Sequence, residues 1–530
     1  MIQILDIRVP LGRSDDYVRS KIAEITGLAA EEIHSFRVVR KSLDARRKRP
    51  PEFLYTVEIA VRDEQAVAGR LGENVKYRIV AQKPALRFHK VSGPEKRPVV
   101  IGCGPAGLFS ALVLAMSGIP ALLLEKGKKI NERQKDVRAF WSEGKLNPQS
   151  NVHFGEGGAG TFSDGKLTTR VRSEYIDFVK RTFVDMGAHP EIMTDAKPHI
   201  GTDRLRKVIV NLRKTLVEMG VEVRFGAAVT GILTHGDKIA GVVINAKEEI
   251  ATDYLILAAG QSSPEIYRIL QDIGSSLAPK AFALGLRVEH RQETINRIQY
   301  GRWLGEKDLP PADYFLTARV PGTERSVYSF CMCPGGYVIG ASSEPGGIVT
   351  NGMSDYLRNA VHANSAVIVN VRPDDFDTGS PISGLDFRKT WEEKAFAAGG
   401  GDYFAPAQRL VDFISGKETL KIRETSFRPG VRPARLDEVL PRFAAEALRV
   451  GLSVFGKKMP GFITPEAVLI GVETRTSSPV RIVRREDGRS VNIAGLYPCG
   501  EGSGYAGGIV SSALDGIRAA MSVIEAVKTG

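Results

Sequence analysis

The chain is predicted to be an α/β protein in which a Rossmann-like nucleotide-binding domain carries an inserted α+β cap and follows a smaller βαββαβ unit. Three observations predict it. An apolar strand runs into a G-x-G-x-x-G turn at residues 99–107, two later apolar runs also end in glycine turns, and apolar positions alternate over much of the first 90 residues. With 530 residues and 43% hydrophobic content, the chain can bury two or three cores and is no disordered scaffold.

From the amino terminus, alternation predicts strands near 2–9, 33–41, 52–61 and 75–81, and helical periodicity predicts helices near 14–26 and 63–71. That order, βαββαβ, is the ferredoxin-like split motif over residues 1–90. Residues 91–98, Val91-Ser92-Gly93-Pro94-Glu95-Lys96-Arg97-Pro98, have linker composition. Of the net charge of +12, half falls in residues 1–92, which hold 18 Lys and Arg against 12 Asp and Glu. The densest basic run is Arg40-Lys41 with Arg46-Arg47-Lys48-Arg49, expected on the loop joining two strands. A sheet with such a loop could dock RNA. No aromatic pair sits at the spacing of an RNA-recognition sheet, however, and modest positive charge is more often a solvated face.

The next element is the most informative. Val99-Val100-Ile101 enters Gly102-Cys103-Gly104-Pro105-Ala106-Gly107, a helical run follows, and the strand Leu122-Leu123-Leu124 ends on Glu125, 23 positions after Gly102. Gly102 permits the tight turn, Gly104 lets backbone approach a pyrophosphate, and Gly107 lets helix and strand pack closely. Pro105 and Ala106 open the helix, whose free N–H groups and positive dipole end face the phosphates. Glu125 is the expected acceptor for a ribose hydroxyl, with Lys126 beside it. Further on, Phe154-Gly155-Glu156-Gly157-Gly158-Ala159-Gly160-Thr161-Phe162-Ser163-Asp164-Gly165-Lys166-Leu167 holds five glycines in eleven positions. Such a run requires positive φ or close approach to a ligand, and its flanking apolar residues argue for a packed turn. Gly157, Gly158, Ala159, Gly160, Thr161, Ser163 and Asp164 are therefore counted as cofactor contacts.

Two further segments carry a resemblance. Asp253-Tyr254-Leu255-Ile256-Leu257-Ala258-Ala259-Gly260 resembles the strand and glycine turn that return the chain to the cofactor in the glutathione-reductase-type FAD superfamily. Ala259, Gly260 and Val229, on a short strand before it, join the set. Leu496-Tyr497-Pro498-Cys499-Gly500-Glu501-Gly502, followed by Tyr505-Ala506-Gly507-Gly508-Ile509-Val510, is similar to that superfamily's last flavin motif. Gly500, Gly507, Gly508 and Ile509 are assigned to the flavin, and Glu501 stands where an acidic residue, usually Asp, binds the ribityl chain. Together with Cys331-Met332-Cys333-Pro334-Gly335-Gly336, Asn351-Gly352-Met353-Ser354 and Glu473-Thr474-Arg475-Thr476-Ser477-Ser478-Pro479, the chain resembles an uncharacterised group of bacterial FAD-dependent dehydrogenases over nearly its whole length. The resemblance implies non-covalent FAD but no substrate. It also carries over Arg133, in the helix after the ribose-binding carboxylate, as a cofactor contact.

The nucleotide domain is read as residues 99–270 and 465–530, with a substrate cap at 271–464. No second G-x-G-x-x-G follows a strand, so no dedicated NAD(P)H domain is predicted, and NAD(P)H enters only as a transient electron donor. Cys331 and Cys333 are separated by one residue, which on a strand puts both side chains on one face and would close a strained ring on oxidation; structural thiols are the favoured reading. The four cysteines form no disulfide framework, and the eight histidines show no local metal-ligand spacing. Lys166, Glu473 and Arg475 are the catalytic candidates, a cation near the flavin and a polar pair suited to a substrate oxygen, with Asn351 and Arg358 as weaker substrate contacts. No signal peptide or membrane span is read, so a cytoplasmic protein is expected. The leading function is an FAD-dependent oxidoreductase acting on a small molecule. The alternatives are a flavoprotein docked to RNA and a non-catalytic FAD-bound sensor.

Overall fold

In the computed structural model, the described residues are 1–46, 49–81 and 86–529. Arg47 and Lys48 of the basic run lie outside them.

The first unit has strands Ile2–Pro10, Ser35–Asp44, Glu52–Ala60 and Tyr77–Ile79, with helices Asp15–Thr26 and Glu64–Arg70. Its sheet is antiparallel, with the spatial order second, third, first, fourth strand. Alternating Ile2, Ile4, Val9, Val57 and Ile59 meet Val18 and Ile22 of the first helix in a core separate from the rest of the protein. The unit also docks: Lys41 N–H donates to Thr194 O and Lys41 O accepts from Ala196 N–H, both at 2.8 Å, so part of its outer edge is covered by the following domain.

The domain read above as the nucleotide domain is a parallel sheet in the spatial order Leu496–Pro498, Leu255–Leu257, Val99–Ile101, Leu122–Glu125, Glu222–Phe225. Its strands are short and wholly apolar at the centre because both faces are covered. The helix Pro105–Met116 lies between the sheet and the final helix Ile509–Thr529, and is buried nearly all round. Small residues permit that contact: a Cβ on Gly516 would stand 2.1 Å from Ala106 O, and Ser110 Oγ donates to Gly516 O at 3.0 Å.

The inserted region is built on a large sheet whose centre is His362–Val371, Phe282–Arg291 and Val468–Glu473, backed by the helix Arg442–Lys458 and the largest core of the molecule. Here the structure corrects the expected boundary at 464. Val468–Glu473 pairs with Phe282–Arg291 and Ala405–Arg409, so it belongs to the inserted sheet. The chain returns to the nucleotide domain only through the antiparallel pair Leu277–Pro279 and Val480–Ile482. A strand's sheet is chosen by its distant partners, which local pattern does not carry.

The turn at residues 102–107 is set by contact as much as by backbone freedom. Gly102 has φ of +99°, and a Cβ on Gly107 would stand 1.8 Å from Gly102 O. Gly107→Ala is therefore expected to destabilise the protein by about 3 kcal/mol or more, because backbone cannot yield there as a side chain would. A urea unfolding midpoint within error of the parent would contradict this.

Candidate functional site

A cavity of about 800 Å³ opens beyond the carboxyl ends of the parallel strands, where Ile101, Leu124 and Ala258 lead into its walls. Crevices at strand ends are where open α/β sheets take ligands.

The floor is the glycine turn. Gly104 packs against Gly158: a Cβ on Gly158 would stand 2.9 Å from Gly104 Cα, whereas one on Gly104 would make ordinary contact, 3.8 Å from Gly158 Cα. Gly158, Ala159 and Gly160 cross opposite it, and Gly507, Gly508 and Ile509 present the amino end of the final helix to the same cavity. Glu125 is buried, with its carboxylate already accepting from three backbone N–H groups, Cys103, Gly127 and Gly155, each at 2.9 Å. Two of these reach Oε1 and one reaches Oε2, so Oε2 keeps acceptor capacity. Lys126 also lines the cavity, but its ammonium is paired with Glu265 at 2.6 Å and sits over the Phe154 ring. Val229, Ala259, Gly260, Gly500 and Glu501 complete this end. Gln261 donates to Glu501 Oε1 at 3.0 Å, and burial pushes the Glu501 carboxyl up to about 7 despite that bond.

The other end is lined by Ser163, Asp164, Lys166, Cys331, Asn351 and Glu473, with Arg475 nearby. Burial alone would raise the Asp164 carboxyl. Lys166, a two-pronged bond from Arg358 and the Ser354 hydroxyl overcome it and hold the group at about 2. Lys166 Nζ lies 3.6 Å from Asp164 and donates to Met332 O.

Several expected contacts lie elsewhere. Arg133 does not reach the cavity: it is fully buried, and its guanidinium donates to the carbonyls of Asn151, Val152, Glu156 and Gly158 at 2.7–2.9 Å. It clamps the glycine-rich loop from behind, and burial pulls the guanidinium down to about 10. Thr161 faces inward too, its Oγ1 donating to Glu156 O at 3.2 Å, and Gly107 and Gly157 stand behind the wall. Arg358 reaches the site only through Asp164. Glu473 and Arg475 line the cavity as expected, but each is committed to a buried ion pair. Glu473 takes Arg287 across both oxygens at 2.7 and 2.9 Å and accepts from Thr350. Arg475 gives Nε and Nη2 to Glu392 at 3.0 and 2.8 Å, with Ser343 and Glu344 as further partners. The guanidinium offered above to a substrate oxygen is thus largely satisfied by protein. Gln261 and Arg287 escape the sequence reading. A lone arginine inside the apolar run at residues 282–288 is the one signal that points to a partnered buried charge.

Residues 281–476 match the family described as "FAD-dependent protein, C-terminal domain-like", and residues 1–60 match one described as a domain of unknown function. An uncharacterised protein from Clostridium beijerinckii is 40% identical over 530 residues, spanning 99% of this chain and 98% of its own. The chain belongs to that clostridial protein's family. Among solved structures, a geranylgeranyl bacteriochlorophyll reductase-like protein from Thermoplasma acidophilum is 13% identical, with TM-score 0.37, over 83% of this chain and 80% of its own. The glycerol-3-phosphate dehydrogenase of Bacillus halodurans, solved with FAD, is 11% identical, with TM-score 0.37, over 82% of this chain and 65% of its own. Halogenase PltM is 13% identical, with TM-score 0.38, over 82% and 70%.

If Arg133 is a clamp rather than a ligand contact, Arg133→Gln leaves buried carbonyls without donors and costs about 3 kcal/mol of stability. Chemical denaturation without added ligand reads this directly. An unchanged midpoint together with lost ligand binding would return Arg133 to the cofactor.

Proposed function

We propose that this protein is an FAD-dependent oxidoreductase, with the flavin nucleotide along the glycine floor and a small organic substrate at the Lys166 end. The observation that carries the reading is the glycine floor, where Gly104 and Gly158 pack backbone to backbone beside a helix amino terminus, under a cavity of about 800 Å³. The donor set suits the group. Unpaired N–H groups at the helix end favour a diphosphate, the spare capacity of Glu125 Oε2 suits a ribose hydroxyl, and Glu501 offers a carboxyl for a polyol. The match of residues 281–476 to an FAD-dependent family supports the same cofactor. When bound, FAD accepts or gives two electrons.

The chain's own residues divide the remaining work. Gly102 and Gly107 shape the turn and Arg133 holds the loop above it. Lys166 is the cation of the substrate end with donor capacity to spare, since one N–H goes to Met332 O and Asp164 is 3.6 Å away. Asn351 adds a side-chain amide to the same wall. Glu473 and Arg475, tied to Arg287 and Glu392, act as positioning residues. We read the first unit as ferredoxin-like on its strand order, and NAD(P)H as a transient donor.

The purified protein should be yellow and release FAD on heating, and anaerobic NADH, NADPH or an organic donor should bleach it. Gly104→Val is the sharper test. Its Cβ meets nothing closer than 3.8 Å, so the empty protein should melt as the parent does while flavin retention is lost. Full flavin occupancy in that variant would place the nucleotide elsewhere.

A further inference from the structure

The strand Ser326–Gly340 loses register with His362–Val371 between Phe330 and Cys333 and again between Cys333 and Gly336. Within this irregular stretch Cys331 has φ of +46°, a conformation that residues other than glycine seldom adopt. A regular strand would show Cys331 and Cys333 on one face. The break separates them instead: Cys331 is half-buried on the cavity wall, and Cys333 is wholly buried behind it. The Cys333 thiol is 3.4 Å from Cys331 O and within hydrogen-bonding reach of the Cys331 sulfur.

Two cations frame the pair. Lys166 Nζ donates to Met332 O, between the cysteines, and Arg287 Nη1 lies 3.4 Å from Cys331 O. The hydrogen bond from Cys333 outweighs burial and, with Lys166 and Arg287, holds the Cys331 thiol down at about 6. Cys333 is held well above the usual thiol range by that same bond and by burial. Cys103 and Cys499 are wholly buried, and burial raises both thiols far above it. The sulfur open to the cavity is thus the more readily ionised of the two, and its neighbour is a buried thiol. That division of labour is what exchange with a disulfide requires.

We propose that Cys331 and Cys333 form a thiol–disulfide exchange pair opening on this cavity, with a small disulfide as its substrate class. The Cys331 thiolate attacks one sulfur of the substrate, the substrate S–S bond breaks, a mixed disulfide forms, and one thiolate leaves. Cys333 gives its proton to a departing thiolate and attacks the Cys331 sulfur, expelling the second half of the substrate. The protein thiolate and thiol are oxidised to one disulfide, and the substrate is reduced to one thiol and one thiolate, the latter taking its proton from water. With one residue between the cysteines, the ring is small and strained, so dithiothreitol restores it readily.

The test counts thiols in the full chain, as purified and whatever flavin it holds, before and after oxidised glutathione. The parent should fall from four thiols to two, with peptide mass mapping showing a Cys331–Cys333 bond and dithiothreitol recovering all four. Cys333→Ser should stop at a glutathione adduct on Cys331, and Cys331→Ser should keep its remaining thiols. Iodoacetamide on the folded parent should alkylate Cys331 at least about tenfold faster than any other cysteine, which needs no variant to fold. An unchanged thiol count, a parent that stops at the mixed disulfide, or alkylation no faster at Cys331 would each overturn the proposal. Because the readout is sulfur, absence of flavin bears on the oxidoreductase reading alone.

Discussion

The Glu125 carboxylate is the point on which the glycine-turn side of the cavity depends. It closes the strand Leu122–Glu125 and gathers the N–H groups of Cys103, Gly127 and Gly155, from three separate stretches of chain. A buried charge is tolerable only when such donors surround it. Here they also set the glycine turn against the glycine-rich loop. Glu156 extends the network by accepting from Ile130 N–H at 2.8 Å and from Arg213 at 2.6 Å, while Arg133 fixes four carbonyls of the same loop. Gly104 and Gly158 thereby meet backbone to backbone, so close that a Cβ on Gly158 would stand 2.9 Å from Gly104 Cα. The floor is held in place by polar bonds behind the wall, not by the wall itself.

Buried ion pairs do the corresponding work at the other end. Arg287 with Glu473, and Arg475 with Glu392, join strands and helices of the inserted region, and Asp164 with Arg358 ties that region back to the glycine-rich loop. Such pairs need not add net stability, because desolvation opposes the attraction. Removing one partner leaves an uncompensated charge and typically costs about 3–5 kcal/mol. Their consequence for chemistry is that the charged residues most prominent in the sequence are mostly spoken for. Lys166 and the half-buried Cys331 retain the freedom to act.

The first unit and the glycine turn were legible because each rests on neighbours in sequence. Alternation over 2–9 and 52–61 places the strands Ile2–Pro10 and Glu52–Ala60 almost to the residue, and the spacing from Gly102 to Glu125 demands a strand, a turn, a helix and a second strand. Arg133 was misread because its acceptors are carbonyls of a loop some 18 to 25 positions away, invisible to any pattern of side chains. The sheet to which Val468–Glu473 belongs is hidden from the sequence for a similar reason. That segment's apolar run announces a buried strand but not its neighbours.

The sequence by itself determined an α/β domain, its glycine turn at residues 102–107, and which short segments would converge on it. These follow from local conformational limits: where φ must be positive, where a Cβ cannot stand, and where a helix must begin. Only the tertiary structure decided which polar residues are free. Arg475 lies 83 positions from Glu392, and Glu473 lies 186 from Arg287. Charge satisfaction is a property of distance in space, so a candidate catalytic group and a structural ion pair read alike until the chain is folded. The same holds for the cysteines. Their spacing implies one face of a strand, and only the loss of register against His362–Val371 turns one sulfur to the cavity and buries the other.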